Sequence, residues 1–247
     1  TNSKRIHRLI ENIVDVEEKG PRFKRGIKIR YYLRETGLKN ECNEEKFIFD
    51  NQRKGRDVLL SSLGDRIVDV ETDRKKGIVK GAVYKYDNSI KEIIIYLCLT
   101  KPLQFILAHH GFFFVHGSVV SKGRDCVLIT GPQNSGKSVL AFVLARNGFG
   151  LLTDDDCFVK LTKGRVRLFP FPTKMGLTDG VLKSYPDLAK HVLKGYKYGR
   201  KQRVSLRSLS GDISNGNYRC KAILFPKYKA KKNVRVREIS AKDAMDR

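Results

Sequence analysis

An eight-residue loop motif constrains this chain more than any other feature. Gly131-Pro132-Gln133-Asn134-Ser135-Gly136-Lys137-Ser138 fits the pattern G-x-x-x-x-G-K-[ST] without a mismatch. An apolar run at 126–130 precedes it. Residues 139–147 follow, with apolar positions at helical spacing and Gly148 as a stop. Strand, glycine loop and helix in that order predict an α/β fold. Gly131 and Gly136 admit backbone conformations closed to residues with a Cβ. Successive backbone N–H groups can then converge on phosphate oxygens, and the helix points its N-terminus at the same anion. Lys137 reaches the terminal phosphates, and the Ser138 hydroxyl is a ligand for Mg²⁺. A chance Gly-rich turn is the competing reading, and the intact flanks argue against it.

The second chemical element is acidic. Asp154, Asp155 and Asp156 follow a short apolar strand at 150–153. From Ser138 to Asp154 there is room for one helix and one returning strand. That spacing brings the carboxylates back beside the loop, at the end of the strand where α/β proteins place ligands. One carboxylate there can hold Mg²⁺, and another can take a proton from an attacking hydroxyl. An acidic turn closing a strand is the bland alternative, and Asp156 has the least claim of the three. His116 stands on a strand one hairpin before the loop. A lone histidine on an apolar strand serves a core more often than a reaction, yet a neutral imidazole could tune a nearby carboxylate. His109 and His110 end a predicted helix and read as structural.

The rest of the chain divides near residue 100. Residues 4–18 carry apolar positions at helical spacing and predict a short amphipathic helix. Residues 22–33, 45–50 and 66–71 read as strands. Residues 77–86 and 90–99 read as a hairpin turning at Asp87-Asn88-Ser89. A helix at 101–110 follows, with Pro102 in its first turn and Gly111 as its stop. Residues 1–100 are therefore expected to form a β-rich subdomain with a short leading helix. Residues 101–247 are expected to form the core that carries the loop, with strands at 112–120, 125–130, 158–162, 166–169 and 221–225. A further strand is conceivable at 234–239, and a helix is expected at 186–193. Phe169-Pro170-Phe171-Pro172 breaks regular structure, and 196–217 reads as a polar, basic loop.

Composition narrows the classes. The chain has 247 residues, 40% of them hydrophobic, which is enough to build a core. No apolar run approaches the roughly 18 residues of a membrane-spanning helix, and the opening shows no secretory pattern. Cys42, Cys98, Cys126, Cys157 and Cys220 are odd in number, scattered and without a C-x-x-C pair. They predict reduced thiols and a cytoplasmic setting rather than disulfides or zinc. Lys and Arg outnumber Asp and Glu by 50 to 26, a net charge of +24. From residue 160 onward the balance is 23 to 6. That excess attracts phosphate-rich or acidic partners, or it is a solvated face with no partner.

In the order His116-Gly117, Gly131–Ser138, Arg146-Asn147-Gly148 and Asp154-Asp155, the chain resembles the C-terminal domain of the HPr kinase/phosphorylase family. Phe169-Pro170-Phe171-Pro172 is similar to a segment of the HPr-kinase-like subgroup that includes peptide-tailoring kinases. The likeness covers about residues 112–176. It implies a P-loop kinase core related to phosphoenolpyruvate carboxykinase, an ATP nucleotide contacted from Gly131 through Val139, and Mg²⁺. It also implies transfer of the γ-phosphoryl group to a hydroxyl, most often that of serine. Carried over, Asp154 is the base, Lys137 assists transfer, Ser138 and Asp155 face the metal, and His116 steadies the acidic pair. The two Asp roles are interchangeable on this basis. A second signature of true HPr kinases is missing downstream, so HPr itself and phosphorylase activity are not implied. Arg200, Lys201, Arg203 and Arg207 are candidates to supply positive charge in its place, with a mobile basic loop as the competing reading for each of them.

The resulting expectation is a phosphotransferase acting on Ser or Thr of a peptide or protein, without a membrane and with homo-oligomerisation open. A kinase acting on a nucleic-acid hydroxyl such as RNA is one alternative. A nucleotide-binding ATPase switch with a basic partner surface is the other.

Overall fold

The computed structural model describes residues 29–35, 46–53, 56–63, 65–84, 94–171, 175–198, 201–206, 209, 217–227 and 234–245. The helix expected at 4–18, the turn at 87–89 and part of the strand expected at 22–33 lie outside them. The chain divides into two compact units, residues 1–113 and 114–247. Both α-helices and several β-sheets are present, so the protein is a mixed α/β structure.

The first unit holds a five-stranded sheet. Its strands are β1 (Arg30–Glu35), β2 (Lys46–Arg53), β3 (Arg56–Leu63), β4 (Asp65–Asp73) and β5 (Ile78–Val83). Their order is β1-β5-β4-β3-β2, with β1 parallel to β5 and the other pairs antiparallel. A π-helical turn, Tyr96–Thr100, runs into α1 (Lys101–His109). Leu97, Cys98 and Ile106 pack with Leu33, Val68, Val70, Val79 and Val83. Two expectations change here. The strand expected at 90–99 is helical in its described part. Ile94, Ile95, Leu97 and Cys98 are buried while Tyr96 is exposed, a rhythm near 3.6 rather than 2. The hairpin partner of β5 is β4, joined to it through a turn at 74–77. Helix α1 groups with this unit and not with the loop-bearing one.

The second unit centres on a six-stranded sheet. It contains β6 (Phe113–Lys122), β7 (Asp125–Thr130), β8 (Gly150–Thr153), β9 (Asp156–Thr162), β10 (Arg165–Pro170) and β14 (Tyr218–Leu224). The order is β7-β14-β10-β9-β6-β8, with β6 also paired to β7. Five strands thus close on themselves, and β8 adds alongside β6. Helix α2 (Lys137–Arg146) buries Ala141 and Phe142 in a cluster with Val120, Ile129, Leu151, Met175 and Leu177. Burying an aromatic side chain of this size contributes roughly 2–3 kcal/mol, so α2 is pinned where the glycine loop delivers it.

A second, three-stranded antiparallel sheet joins β11 (Met175–Thr178), β13 (Lys201–Val204) and β12 (Val192–Tyr198). The basic loop expected at 196–217 is therefore partly strand. Its cations made it look solvated, but Val204 and Leu206 are buried with Met175 and Leu177. Between β11 and β12 lie α3 (Asp179–Ser184), which the sequence reading did not separate, and a 3-10 turn at Pro186–His191. Strand β10 extends to Pro170, later than expected. Residues 234–239 form no strand, and Val234 and Val236 are 92% and 88% exposed. A short helix, α4 (Ala241–Met245), follows.

Candidate functional site

Sheet register brings the two sequence elements together. Strand β6 lies between β7 and β8 and runs antiparallel to both. Thr130, the last residue of β7, pairs with Gly117, and Thr153, the last of β8, pairs with Val119. The glycine loop and the acidic run therefore leave the sheet at the same end, two positions apart along β6. The Gly117 N–H donates to the Asp155 carbonyl at 3.0 Å, which ties the acidic turn to that strand.

The loop has the backbone its glycines permit. Gly131 has φ 144° and Gly136 has φ 97°, and Asn134 also takes a positive φ of 63°. Gly136 immediately precedes α2, whose first residues are Lys137, Ser138 and Val139. Lys137 is 8% exposed, and its Nζ donates to the carbonyls of Gly131 and Pro132, both at 3.0 Å. Burial lowers its pKa, Asp155 acts in the opposite sense, and Lys201 adds to the lowering. Pro132, Gln133, Asn134 and Val139 are exposed. The Ser135 hydroxyl oxygen is buried and has no hydrogen-bond partner among the described residues.

Asp154 is 1% exposed. The Ser118 hydroxyl lies 2.9 Å from both its main-chain oxygen and its Oδ1. The Gly176 N–H donates to Oδ2 at 3.2 Å, and the Ser138 hydroxyl bonds to the same carboxyl group. Its pKa is pushed up to about 6, chiefly by burial and then by the neighbouring charge of Asp155, against the pull of these hydrogen bonds. Asp155 is more open. Its side chain is 30% exposed, and its Oδ2 lies 3.4 Å from Arg203 Nη1. Asp156 is likewise pushed up to about 6, first by burial and then by Asp155, with His116 and Arg203 opposing.

His116 is exposed, and its carbonyl accepts a hydrogen bond from Thr130 Oγ1 at 3.0 Å. Its charge acts on Asp156, the acid to which the sequence reading gave the least weight. Of the four downstream cations expected to assist, Lys201 and Arg203 lie at the site, and Arg200 and Arg207 lie outside the described residues. Register explains the pair: Lys201 faces Thr178 and Arg203 faces Gly176 across β11–β13. Sequence reasoning missed Ser118 and Gly176. Ser118 carried a usable signal, since it sits two positions beyond His116 on β6, whereas Gly176 carried none.

No protein-family model matches this chain. No curated protein matches it either. Among solved structures it is similar to the Hpr(Ser) kinase/phosphatase from Coxiella burnetii, with a TM-score of 0.32 and 19% identity. That match covers 45% of this chain and 63% of the other, less than two thirds of its length. Among the described residues no helix is long and apolar enough to cross a membrane.

Proposed function

We propose that this protein is an ATP- and Mg²⁺-dependent kinase that transfers the γ-phosphoryl group to a hydroxyl of Ser or Thr in a peptide or protein. The observation that carries the reading is the meeting of Lys137, Ser138, Asp154, Asp155 and Arg203 at one end of one sheet.

The residues present fit the ligands. The loop has three positive-φ positions and a buried, unpartnered Ser135 hydroxyl, a polar atom that a phosphate oxygen would satisfy. Lys137 holds two loop carbonyls and has donors of the right kind for terminal phosphates. Ser138 and Asp154, already joined by a hydrogen bond, supply the hard oxygens that Mg²⁺ prefers. When bound, magnesium neutralises charge on the phosphate oxygens.

The geometry favours exchanging the two aspartate roles that the resemblance implies. A base must touch the acceptor hydroxyl. Asp154 is enclosed, with Ser118, Ser138 and Gly176 on its carboxylate. Asp155 is the accessible member. We assign Asp155 as the proton acceptor and Asp154 as the carboxylate that orients Ser138 and the metal. The acceptor oxygen bonds to the γ-phosphorus as the bond to the β,γ-bridging oxygen breaks. The hydroxyl proton passes to Asp155, and ADP leaves. Lys137 and Arg203 offset the charge that builds on the transferring group. His116 acts on the acidic run through Asp156.

The test is incubation with γ-labelled ATP and Mg²⁺, with cell protein and cell RNA offered as separate acceptor pools. Label entering protein, lost with Asp155→Asn, is the expected result. Label in RNA alone would move the acceptor to a nucleic-acid hydroxyl. Phosphate release with neither pool labelled would favour the ATPase switch.

A further inference from the structure

Strands β9, β10 and β14 carry a basic ladder that the phosphoryl-transfer site does not use. Within these three strands are Lys160, Arg165, Arg167, Arg219 and Lys221, against the single acid Asp156. Arg167 is the cross-strand partner of both Lys160 and Arg219. Leu168, the next residue on β10, pairs with Val159 and Tyr218, and these three pack into the core. Side chains alternate across a strand, so Lys160, Arg167 and Arg219 project from the opposite face. Arg165, two residues from Arg167, shares that face. Asp125 pairs with Arg219 at 2.6 Å and Lys221 at 4.0 Å, which sets Lys221 on the Arg219 side. Arg165, Arg219 and Lys221 are exposed, and Lys160 and Arg167 are half-buried.

Like charges directly opposite each other destabilise a sheet. Arg219 is offset by Asp125, but three cations in a row across adjacent strands still concentrate positive charge on one face. They make a row of donors with about 5 Å between strands and about 7 Å between alternate residues. Three of the five are arginines, whose planar forks match phosphate. The centre of the face is Lys160, Arg167 and Arg219, and the exposed apolar residues of these strands, Leu161, Val166 and Ile223, stand near the strand ends, so the face lacks the apolar centre that a protein interface uses. We propose that the outer face of β9-β10-β14 is a docking surface for the phosphate backbone of a nucleic acid. This inference stands apart from the kinase reading, because the ladder would bind the backbone whatever the site does.

The test is fluorescence anisotropy with the full chain and a labelled single-stranded RNA of about 20 nucleotides. Two variants that remove equal charge are compared. One is Lys160→Gln with Arg165→Gln and Arg167→Gln. The other is Lys183→Gln with Lys190→Gln and Lys242→Gln, all exposed and on elements other than β9, β10 and β14. Loss of three phosphate contacts reduces the slope of log affinity against log salt by about 2. The ladder variant is expected to show that loss, with binding weakened roughly tenfold or more, and the second variant is expected to bind nearly as well as the parent. Equal weakening in both would mean that only total charge matters and would overturn the site. So would absence of RNA binding at low salt, or a polyglutamate peptide binding as tightly with the same dependence on the ladder. If the triple variant unfolds, Arg165→Gln with Lys221→Gln, both exposed ladder residues, is compared with Lys183→Gln with Lys190→Gln, and a slope lower by about 1.4 in the first pair alone is expected. Labelling of acceptors with γ-labelled ATP is scored separately, so failure of either reading leaves the other standing.

Discussion

The two halves of the candidate site reach it by different routes. His116, the glycine loop, Ser138 and the acidic run all lie within some forty residues of sequence, on β6, β7, α2 and β8, which are neighbours in space. Gly176, Lys201 and Arg203 come from the separate sheet of β11 and β13. The first half carries its chemistry in local spacing. The second carries it in register, because the pairing of Gly176 with Arg203 sets a guanidinium 3.4 Å from Asp155 while the Gly176 amide holds Asp154. A glycine loop can be encoded in one stretch, whereas the guanidinium beside Asp155 is delivered by tertiary structure.

The largest expected effect falls on the contiguous half. Asp155→Asn is expected to lower kcat by about a thousandfold, the scale of a lost general base, with nucleotide affinity close to the parent. Asp154→Asn is expected to act differently, raising the Mg²⁺ concentration needed for half-maximal rate. Steady-state kinetics over a magnesium titration separates the two. If Asp154→Asn removes turnover without touching the magnesium requirement while Asp155→Asn changes only that requirement, the roles revert to the order implied by the resemblance.

The remote half ranks next. Arg203→Ala is expected to cost about a hundredfold in kcat, typical of removing one donor from a developing anion. Arg203→Lys is expected to recover only part of that, because a point charge cannot reproduce the planar fork. Full activity in Arg203→Ala would detach β13 from the chemistry altogether. Gly176→Ala probes the same half more gently. A Cβ there would stand 3.1 Å from Lys201 Cδ and 3.5 Å from Arg203 Nη1. The long side chains can yield, so a loss of roughly fivefold in kcat is expected from their displacement, with the fold intact by thermal melting.

How much of this was legible follows the same division. The loop, its flanking strand and helix, and the acidic turn were readable because each fixed position has a local chemical reason. The strands β12 and β13 were hidden because their lysines and arginines suggest solvent, and only Val204 and Leu206 mark the buried side. The segment at 94–99 misled in the opposite sense. Its isoleucines favour strands, but burial on two adjacent positions at a time suits a helix packed on a sheet. The shared end of β7 and β8 depends on β6 lying between them, which no local pattern announces.

The smallest expected effect concerns the stability of the contiguous half itself. Asp156 has its pKa raised from 3.8 to about 6, first by burial and then by Asp155, with His116 and Arg203 pulling the other way. Between those two values the folded chain binds more protons at this group than the unfolded chain does, so stability falls as pH rises through the window. Above about 6 the full cost of a charged, desolvated carboxylate is present, and below about 4 it is absent. Asp156→Asn removes the titration, so at pH 7 to 8, with a chelator present, it is expected to raise the melting temperature by about 3 °C. The gain should shrink as the buffer is taken down towards pH 4. A variant that melts below the parent at every pH would mean that the Asp156 carboxylate is held by favourable contacts rather than strained by burial. The acidic turn would then owe its conformation to all three aspartates, and the division between a chemically active pair and a passive neighbour would no longer hold.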